Sequence, residues 1–283
     1  MIIVKLRGGL GNQMFQYALG RNLAIKNNTK LKFDTSELEQ DKLRNYKLDI
    51  FNISGSIVSR FTRLVIQKIN HRIISRILGR YYLYIKEENQ FFNENILAKK
   101  GNIYLDGYWQ SENYFKEISN IIIKDFTIKY EPDIINKSMI EKIKNSNSIC
   151  IHIRRGDYIS DKKTNKVHGA CSLKYYYNAI KIIIKKVKNP SFYIFSDDSQ
   201  WTKENLKLKY PTIYVDINSS EKDYEDLRFM LNCKHFIIAN SSFSWWGAWL
   251  SNNPNKIVCA PKRWFRSVDE GNIVPKFWIR VEV

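Results

Sequence analysis

From Ser148 to the C-terminus, short apolar runs alternate with longer amphipathic ones, and this rhythm limits the possible folds more than any other feature of the chain. "SICIHI", "SFYIF", "TIYVD", "HFIIA" and "KIVCA" read as strands, with "SLKYYYNAIKIIIKKV", "QWTKENLKLKY", "EKDYEDLRFMLN" and "SFSWWGAWLS" as the helices between them. Strands joined by helices of this length imply right-handed crossovers, so the expected class is α/β with a parallel sheet. Ligands of such sheets bind beyond the carboxyl ends of the strands, which makes the residues after each strand the place to seek chemistry.

A second unit of the same kind opens the chain. Ile2 to Leu6 reads as a buried strand and Arg7 to Gly11 as a glycine loop; Asn12 to Lys26 reads as a helix with Phe15, Ala18, Leu19 and Leu23 on one face. Between there and Ser148 only "NIYLDGYWQ" looks like another strand running into a loop. The charged, proline-containing "KYEPDIINKS" is the expected hinge. A chain of 283 residues, 44% hydrophobic, has enough material for two cores. The expectation is two domains, 1–135 and 136–283.

Forty-six lysines and arginines against 28 acidic residues give +18, a field that attracts nucleic acid, a membrane surface or a phosphorylated substrate. The basic residues are dispersed and no nucleic-acid-binding motif interleaves them, so no specific nucleic acid is expected. Cys150, Cys171, Cys233 and Cys259 are scattered, which indicates neither a zinc site nor a disulfide framework and suits a reducing cytosol. Neither a signal peptide nor a membrane-spanning apolar run is read, so the expected location is cytoplasmic, at most peripheral on the inner face of a membrane. Within 57–80, Lys68, Arg72, Arg76 and Arg80 run beside Val65, Ile69, Ile73 and Ile77 at four-residue spacing. Such a helix suits an anionic membrane surface or, equally, an ordinary solvated face.

Four strand-end motifs carry the chemistry. In "GGLGNQ", Gly9 and Gly11 permit close backbone approach, helix-start amides can bind an anion, and Asn12 and Gln13 offer side-chain donors. Met14 stands where the dinucleotide fingerprint needs its third glycine. In "HIRRGDY", one strand-end arginine can fork onto a phosphate while its neighbour points the other way, to orient the loop or pair with Asp157. In "FSDD", adjacent carboxylates diverge on an extended chain, so Asp197 and Asp198 are expected to cap the next helix and brace the cleft. No Asp-x-Asp occurs and no metal is expected. In "NSSFSWWGAWL", Ser241 and Ser242 open a helix as phosphate ligands, while Trp245, Trp246 and Trp249 are assigned to packing over sugar stacking.

Taken together and in this order, "RGGLGNQMFQYA", "HIRRGDY" and "NSSFSWWGAWLS" resemble the bacterial α-1,2-fucosyltransferases; residues 36 to 100 add little. The resemblance implies a metal-independent GT-B-type enzyme with two Rossmann-like domains whose parallel sheets face across a cleft. Residues 1–135 would lie on the acceptor side and 136–283 would bind the donor. Such enzymes move L-fucose from GDP-β-L-fucose to the 2-hydroxyl of a terminal galactose, with inversion, on an oligosaccharide or lipid-linked glycan, using no other cofactor.

By motif position the same resemblance implies Arg154 on the β-phosphate with Arg155 beside it, His152 and Asp226 at the guanine, and Ser241 or Ser242 on a phosphate. It places Gly9 and Gly11 in the binding loop and Asn12 at the reacting centre. Asp157 is the candidate general base, in competition with an ion pair to Arg155. Because bond cleavage leaves negative charge on GDP, electrostatic stabilisation of that leaving group should be a large catalytic effect. Two rivals stay open: a fucosyltransferase of another linkage, α-1,6 or O-linked, and a basic protein that binds nucleic acid nonspecifically.

Overall fold

The computed structural model describes residues 1–41, 43–59, 82–266 and 271–283. They form two compact units, Met1–Lys129 with Gly271–Ile273, and Tyr130–Glu270 with Val274–Val283. The basic and apolar stripes that sequence places between Val65 and Arg80 lie outside the described residues.

The first unit holds β1 (Ile2–Lys5), α1 (Leu10–Lys26), β2 (Leu31–Asp34), β3 (Ser56–Ile57), β4 (Leu83–Lys86), β5 (Ile103–Asp106) and α2 (Ser119–Asp125). Its strands are all parallel, in the order β3-β2-β1-β5-β4. Ile2, Ile3 and Val4 are fully buried, as a central parallel strand covered on both faces requires. Helix α1 buries Leu10, Met14, Phe15, Tyr17, Ala18, Leu19 and Leu23, and it starts two residues earlier than the sequence pattern suggests. The chain enters α1 through Gly8 at φ +71°, where a Cβ would sit 2.5 Å from Asn12 Nδ2. Glycine is therefore the residue this turn demands.

The second unit contains α3 (Ile134–Lys144), β6 (Asn147–Ile153), α4 (Gly156–Ser160), α5 (Lys162–Val167), α6 (Leu173–Ile184), β7 (Pro190–Ser196) and α7 (Ser199–Asn205). It continues with β8 (Thr212–Val215), α8 (Asp223–Asn232), β9 (His235–Ile237), α9 (Ser242–Leu250), β10 (Val258–Pro261) and β11 (Ile279–Val281). The strand order is β11-β10-β9-β6-β7-β8, all parallel. Counted from β6 this is the doubly wound order, and its winding reverses between β6 and β9, where such folds bind ligands.

Its core gathers Ile149, Ile151 and Ile153 of β6, Phe192 and Ile194 of β7, and Tyr175, Tyr176, Ala179, Ile180 and Ile183 of α6. Each fully buried large aliphatic chain there contributes roughly 1.5–3 kcal/mol. Trp245 and Trp246 of α9 are completely buried, and Trp245 stacks on Trp249 with ring centroids 6.0 Å apart. Helix α7 stops at Asn205 although the helical pattern runs on to Tyr210. Pro211 ends that segment and disfavours helical geometry before it, and the chain turns extended at Leu206 (φ −104°, ψ 88°).

Candidate active site

Strand β6 pairs Ile153 with Ser196 of β7 and Ile151 with Ile237 of β9, so the loops after these three strands lie side by side. Arg154 Nη2 donates to Asp157 Oδ1 at 2.7 Å, and Nη1 lies 2.9 Å from Asp197 Oδ2. The guanidinium also sits 5.6 Å from the Tyr158 ring centroid. Arg155 turns the opposite way. Its Nε donates to Asp198 Oδ2 at 3.1 Å, its guanidinium lies 3.5 Å over the Trp201 ring, and its backbone N–H donates to Asp197 Oδ1 at 2.8 Å.

The pairing of Asp157 thus differs from the expected one: its partner is Arg154, because α4 begins at Gly156 and three-residue helical spacing carries Asp157 back beneath Arg154. Asp198 caps α7 by accepting from Trp201 N–H at 3.2 Å, and Asp197 ties the loop after β6 to β7. A Cβ on Gly156 would come within 2.6 Å of Asp197 Oδ2, so only glycine admits this carboxylate. Two guanidiniums here face three carboxylates, Asp157, Asp197 and Asp198.

One buried titratable group adjoins the cluster, and a second lies in the first turn of α8. Burial, reinforced by the Arg154 charge, pushes the His152 pKa down to about 3, so the imidazole is neutral at ordinary pH. Its Nδ1 is buried without a hydrogen-bond partner, and its ring lies 5.9 Å from that of Phe243 in α9. Burial, helped by Asp223 and Glu225 and opposed by a hydrogen bond from Asn218, pushes Asp226 up to about 7. Its Oδ1 is likewise buried without a partner.

Ser241 caps α9 in extended geometry (φ −131°, ψ 126°) with no side-chain bond to the helix, and Ser242 is the first helical residue. The preceding Asn240 is a knot: Nδ2 donates to the carbonyls of His168, Gly169 and Trp264 at 3.0–3.1 Å. Its own carbonyl accepts from Tyr158 Oη at 3.0 Å. Of the two aspartates expected to cap the helix and brace the cleft, Asp198 is the cap and Asp197 holds the arginine loop; His168 and Asn240 were not found by sequence reasoning. The strand-end position of Asn240 was the available signal; for His168, in a polar segment without periodicity, there was none.

In the first unit, Gly9 caps α1, Gly11 lies in its first turn, and Asn12 Oδ1 accepts from Gln110 Nε2 at 2.8 Å. Gln13 is fully buried and structural, donating to the Gly8 and Asn45 carbonyls at 2.9 and 2.8 Å and accepting from Lys47 N–H at 3.0 Å. Its amide, expected to serve a hydroxyl or phosphate, is instead taken up by these backbone groups. Among the described residues no group of three or more His, Cys, Asp and Glu is placed to hold a metal ion, and no helix is long and apolar enough to cross a membrane. All four cysteines are buried free thiols.

Two doubly wound units make this the GT-B architecture, which is shared with solved fucosyltransferases. The structure titled NodZ α-1,6-fucosyltransferase soaked with GDP-fucose aligns at a TM-score of 0.54 and 15% identity, covering 88% of this chain and 91% of that one. Arabidopsis thaliana FUT1 aligns at 0.50 and 9% identity, covering 91% and 69%. The chain belongs to Glycosyl transferase family 11, whose model matches residues 1–281, and it is a glycosyltransferase. It is 34% identical to an Escherichia coli alpha-1,2-colitosyltransferase, covering 100% of this chain and 99% of that protein. It is 32% identical to the Escherichia coli O-antigen biosynthesis glycosyltransferase WbnK, covering 98% and 99%. A Caenorhabditis elegans galactoside 2-alpha-L-fucosyltransferase is 25% identical over 98% of this chain and 75% of its own.

Proposed function

We propose that this glycosyltransferase moves L-fucose from GDP-β-L-fucose to the 2-hydroxyl of a terminal galactose, with inversion at the anomeric carbon. The observation that carries the reading is the switch-point cluster of the second unit. There Arg154, the neutral His152 with its open Nδ1, and the start of α9 gather at one set of strand ends.

Guanine presents adjacent N–H donors that an ionised Asp226 would accept, and His152 supplies a neutral edge beside it. The diphosphate takes Arg154, the α9 amides and Ser241 or Ser242. A guanidinium has five N–H donors, so Arg154 can give one to Asp157 and one to Asp197 and still have three left for phosphate. Arg155 holds the loop through Asp198 and Trp201. Gly9 and Gly11 shape the loop that presents Asn12, which we assign to the sugar being transferred.

As the anomeric C–O bond to phosphate breaks, its electron pair goes to GDP, and the acceptor oxygen closes the new bond from the opposite face while losing its proton. Arg154 and the helix start stabilise the leaving charge. Asp157 braces Arg154; a role as proton acceptor would show as a much larger loss in Asp157→Asn. We place the reaction in the cytoplasm, on a soluble or lipid-linked glycan at the inner face of the membrane.

A second donor is favoured by one observation, the whole-length similarity to a colitosyltransferase. Colitose lacks the 3-hydroxyl of fucose, so a pocket built to hydrogen-bond that hydroxyl would reject it. Proton NMR of the purified protein with lactose, excess chelator and either GDP-fucose or GDP-colitose tests both readings. A new α-anomeric fucosyl signal correlated to galactose C2 is the expected result. Turnover of GDP-colitose alone would replace the donor, and transfer to another hydroxyl would replace the linkage.

A further inference from the structure

His168 ends α5 in a segment to which no role has been given. Its ring stacks flat on Tyr158, with centroids 4.9 Å apart and an interplanar angle of 9°, and packs against Phe265 at 5.3 Å. The same Tyr158 ring lies 5.6 Å from the Arg154 guanidinium. The backbone is fixed as well, because the His168 carbonyl accepts from Asn240 Nδ2 at 3.1 Å, and Asn240 immediately precedes Ser241. His168 thus shares one tyrosine with Arg154 through its ring, and through its backbone carbonyl it is tied to the asparagine that precedes α9.

Its Nδ1 is buried with no hydrogen-bond partner. A buried N–H without an acceptor is rarer and costlier than a buried lone pair without a donor, so the neutral ring carries its proton on Nε2. Burial lowers the pKa, with Arg154 adding to this against the pull of Asp157, which keeps the ring neutral. The result is a single N–H donor held rigid by two aromatic faces and a locked backbone.

We propose that His168 is a further donor-site residue, whose neutral Nε2–H hydrogen-bonds an oxygen of the nucleoside diphosphate beside Arg154. The inference rests on the GDP-sugar reading of this site. No proton is transferred in this role; the imidazole donates a bond that strengthens as charge grows on the departing phosphate. A preorganised donor of this kind accounts for about 10²–10³-fold in rate.

Two substitutions separate this role from simple packing. His168→Phe keeps the stack between Tyr158 and Phe265 and removes the donor; His168→Gln loses the ring but returns an N–H near the Nε2 position. Calorimetry with GDP and turnover of GDP-fucose are measured for both, with thermal melting as the control for folding. The expected result is that Phe lowers kcat/KM for the donor at least tenfold and weakens GDP while melting normally, and that Gln recovers most of the loss. In the unmodified protein, ¹⁵N-histidine NMR should show the His168 Nε2 signal shifting on addition of GDP, a readout that stands even if a variant misfolds. Wild-type turnover and GDP affinity in His168→Phe, or an unmoved His168 signal at saturating GDP, would overturn the proposal while leaving the donor reading intact. Failure of the wild-type protein to bind GDP at all would overturn both.

Discussion

Each unit places an arginine just past the central strand of its sheet, and the two arginines have closely similar surroundings. Arg7, after β1, bonds Asp106, lies 3.5 Å from Glu37 and sits 5.6 Å from the Tyr108 ring. Arg154, after β6, bonds Asp157, lies 2.9 Å from Asp197 and sits 5.6 Å from the Tyr158 ring. What differs is the ring of groups outside the pair. Around Arg7 the neighbours are themselves paired: Lys5 joins Glu37 at 2.8 Å and Asp106 at 3.6 Å, Tyr84 donates to Asp106, and Gln16 brackets the Arg7 peptide, although Arg7 Nε is buried without a hydrogen bond 3.5 Å from Glu37. Near Arg154, His152 and His168 each keep a buried ring nitrogen without a partner. Neighbours that satisfy one another stabilise, whereas neighbours that leave buried polar atoms open call for an explanation, and a bound ligand is one. An arginine's own contacts do not reveal its role; the second circle of neighbours does.

The largest expected effect tests that contrast directly. Arg154→Ala should lower transfer about 10²–10³-fold, equivalent to about 3–4 kcal/mol of lost transition-state stabilisation, while the protein stays folded. Arg7→Ala should do the converse, costing about 1–3 kcal/mol of stability by leaving carboxylates underpaired while GDP affinity stays within about twofold. Steady-state kinetics and thermal melting of the two variants decide it. If Arg7→Ala abolishes GDP binding and Arg154→Ala only destabilises, the assignment is reversed.

The contrast also marks where the sequence stops being readable. Strands β6, β7 and β9 are short, largely buried runs rich in β-branched and aromatic residues, and their ends could be named from pattern alone. Helices α4 and α5 could not, because "GDYISDKKTNKV" has no apolar period and its turns are held by side chains such as Asp161, which accepts from Thr164 N–H at 3.1 Å. Strand β11 escaped because only three residues pair, on the sheet's edge. Within the site, residue types at strand ends were visible. Which arginine meets which aspartate depends on the residue where α4 starts, and His168 acquires its neighbours only through tertiary packing against Tyr158 and Phe265.

The next effect is a pH dependence carried by Asp226 of the second unit. Asp226 rises from 3.8 to about 7 in the folded protein, so its contribution to stability is fully present below the ordinary value and is lost as pH rises through about 7. The penalty grows by at most about 1.4 kcal/mol per pH unit in that window. Asp226→Asn should therefore melt higher than wild type at pH 8 and the same at pH 4. Guanine supplies partners only to the ionised carboxylate, so wild-type GDP affinity should fall by up to about tenfold per unit below pH 7. That slope should be shallower in Asp226→Asn, after correction for the phosphate ionisation common to both. An unchanged slope would remove Asp226 from the base site.

Asp157→Asn sharpens the comparison further. The amide keeps an oxygen for Arg154 but not the charge, so a brace predicts less than about a tenfold loss in kcat, as one weakened charged hydrogen bond would give. A proton acceptor predicts a loss of about 10²–10⁴-fold. The kcat of this one variant, with lactose saturating, separates the two.

The smallest effect lies one step farther from the phosphate. Arg155 rests 3.5 Å over Trp201 and bonds Asp198, which in turn caps α7. Trp201→Leu keeps an apolar side chain in α7 but removes the ring face, and such a contact near the surface is worth about 0.5–1 kcal/mol. For a unit of this size that corresponds to a fall of a few degrees in Tm, with donor KM raised by no more than about twofold. The effect is expected to be this small because Asp197 and Asp198 still hold Arg155 through its backbone N–H and its Nε. A loss of donor affinity as large as that of Arg154→Ala would mean that Arg155 itself grips the diphosphate, and that the division of labour between the two adjacent arginines runs the other way.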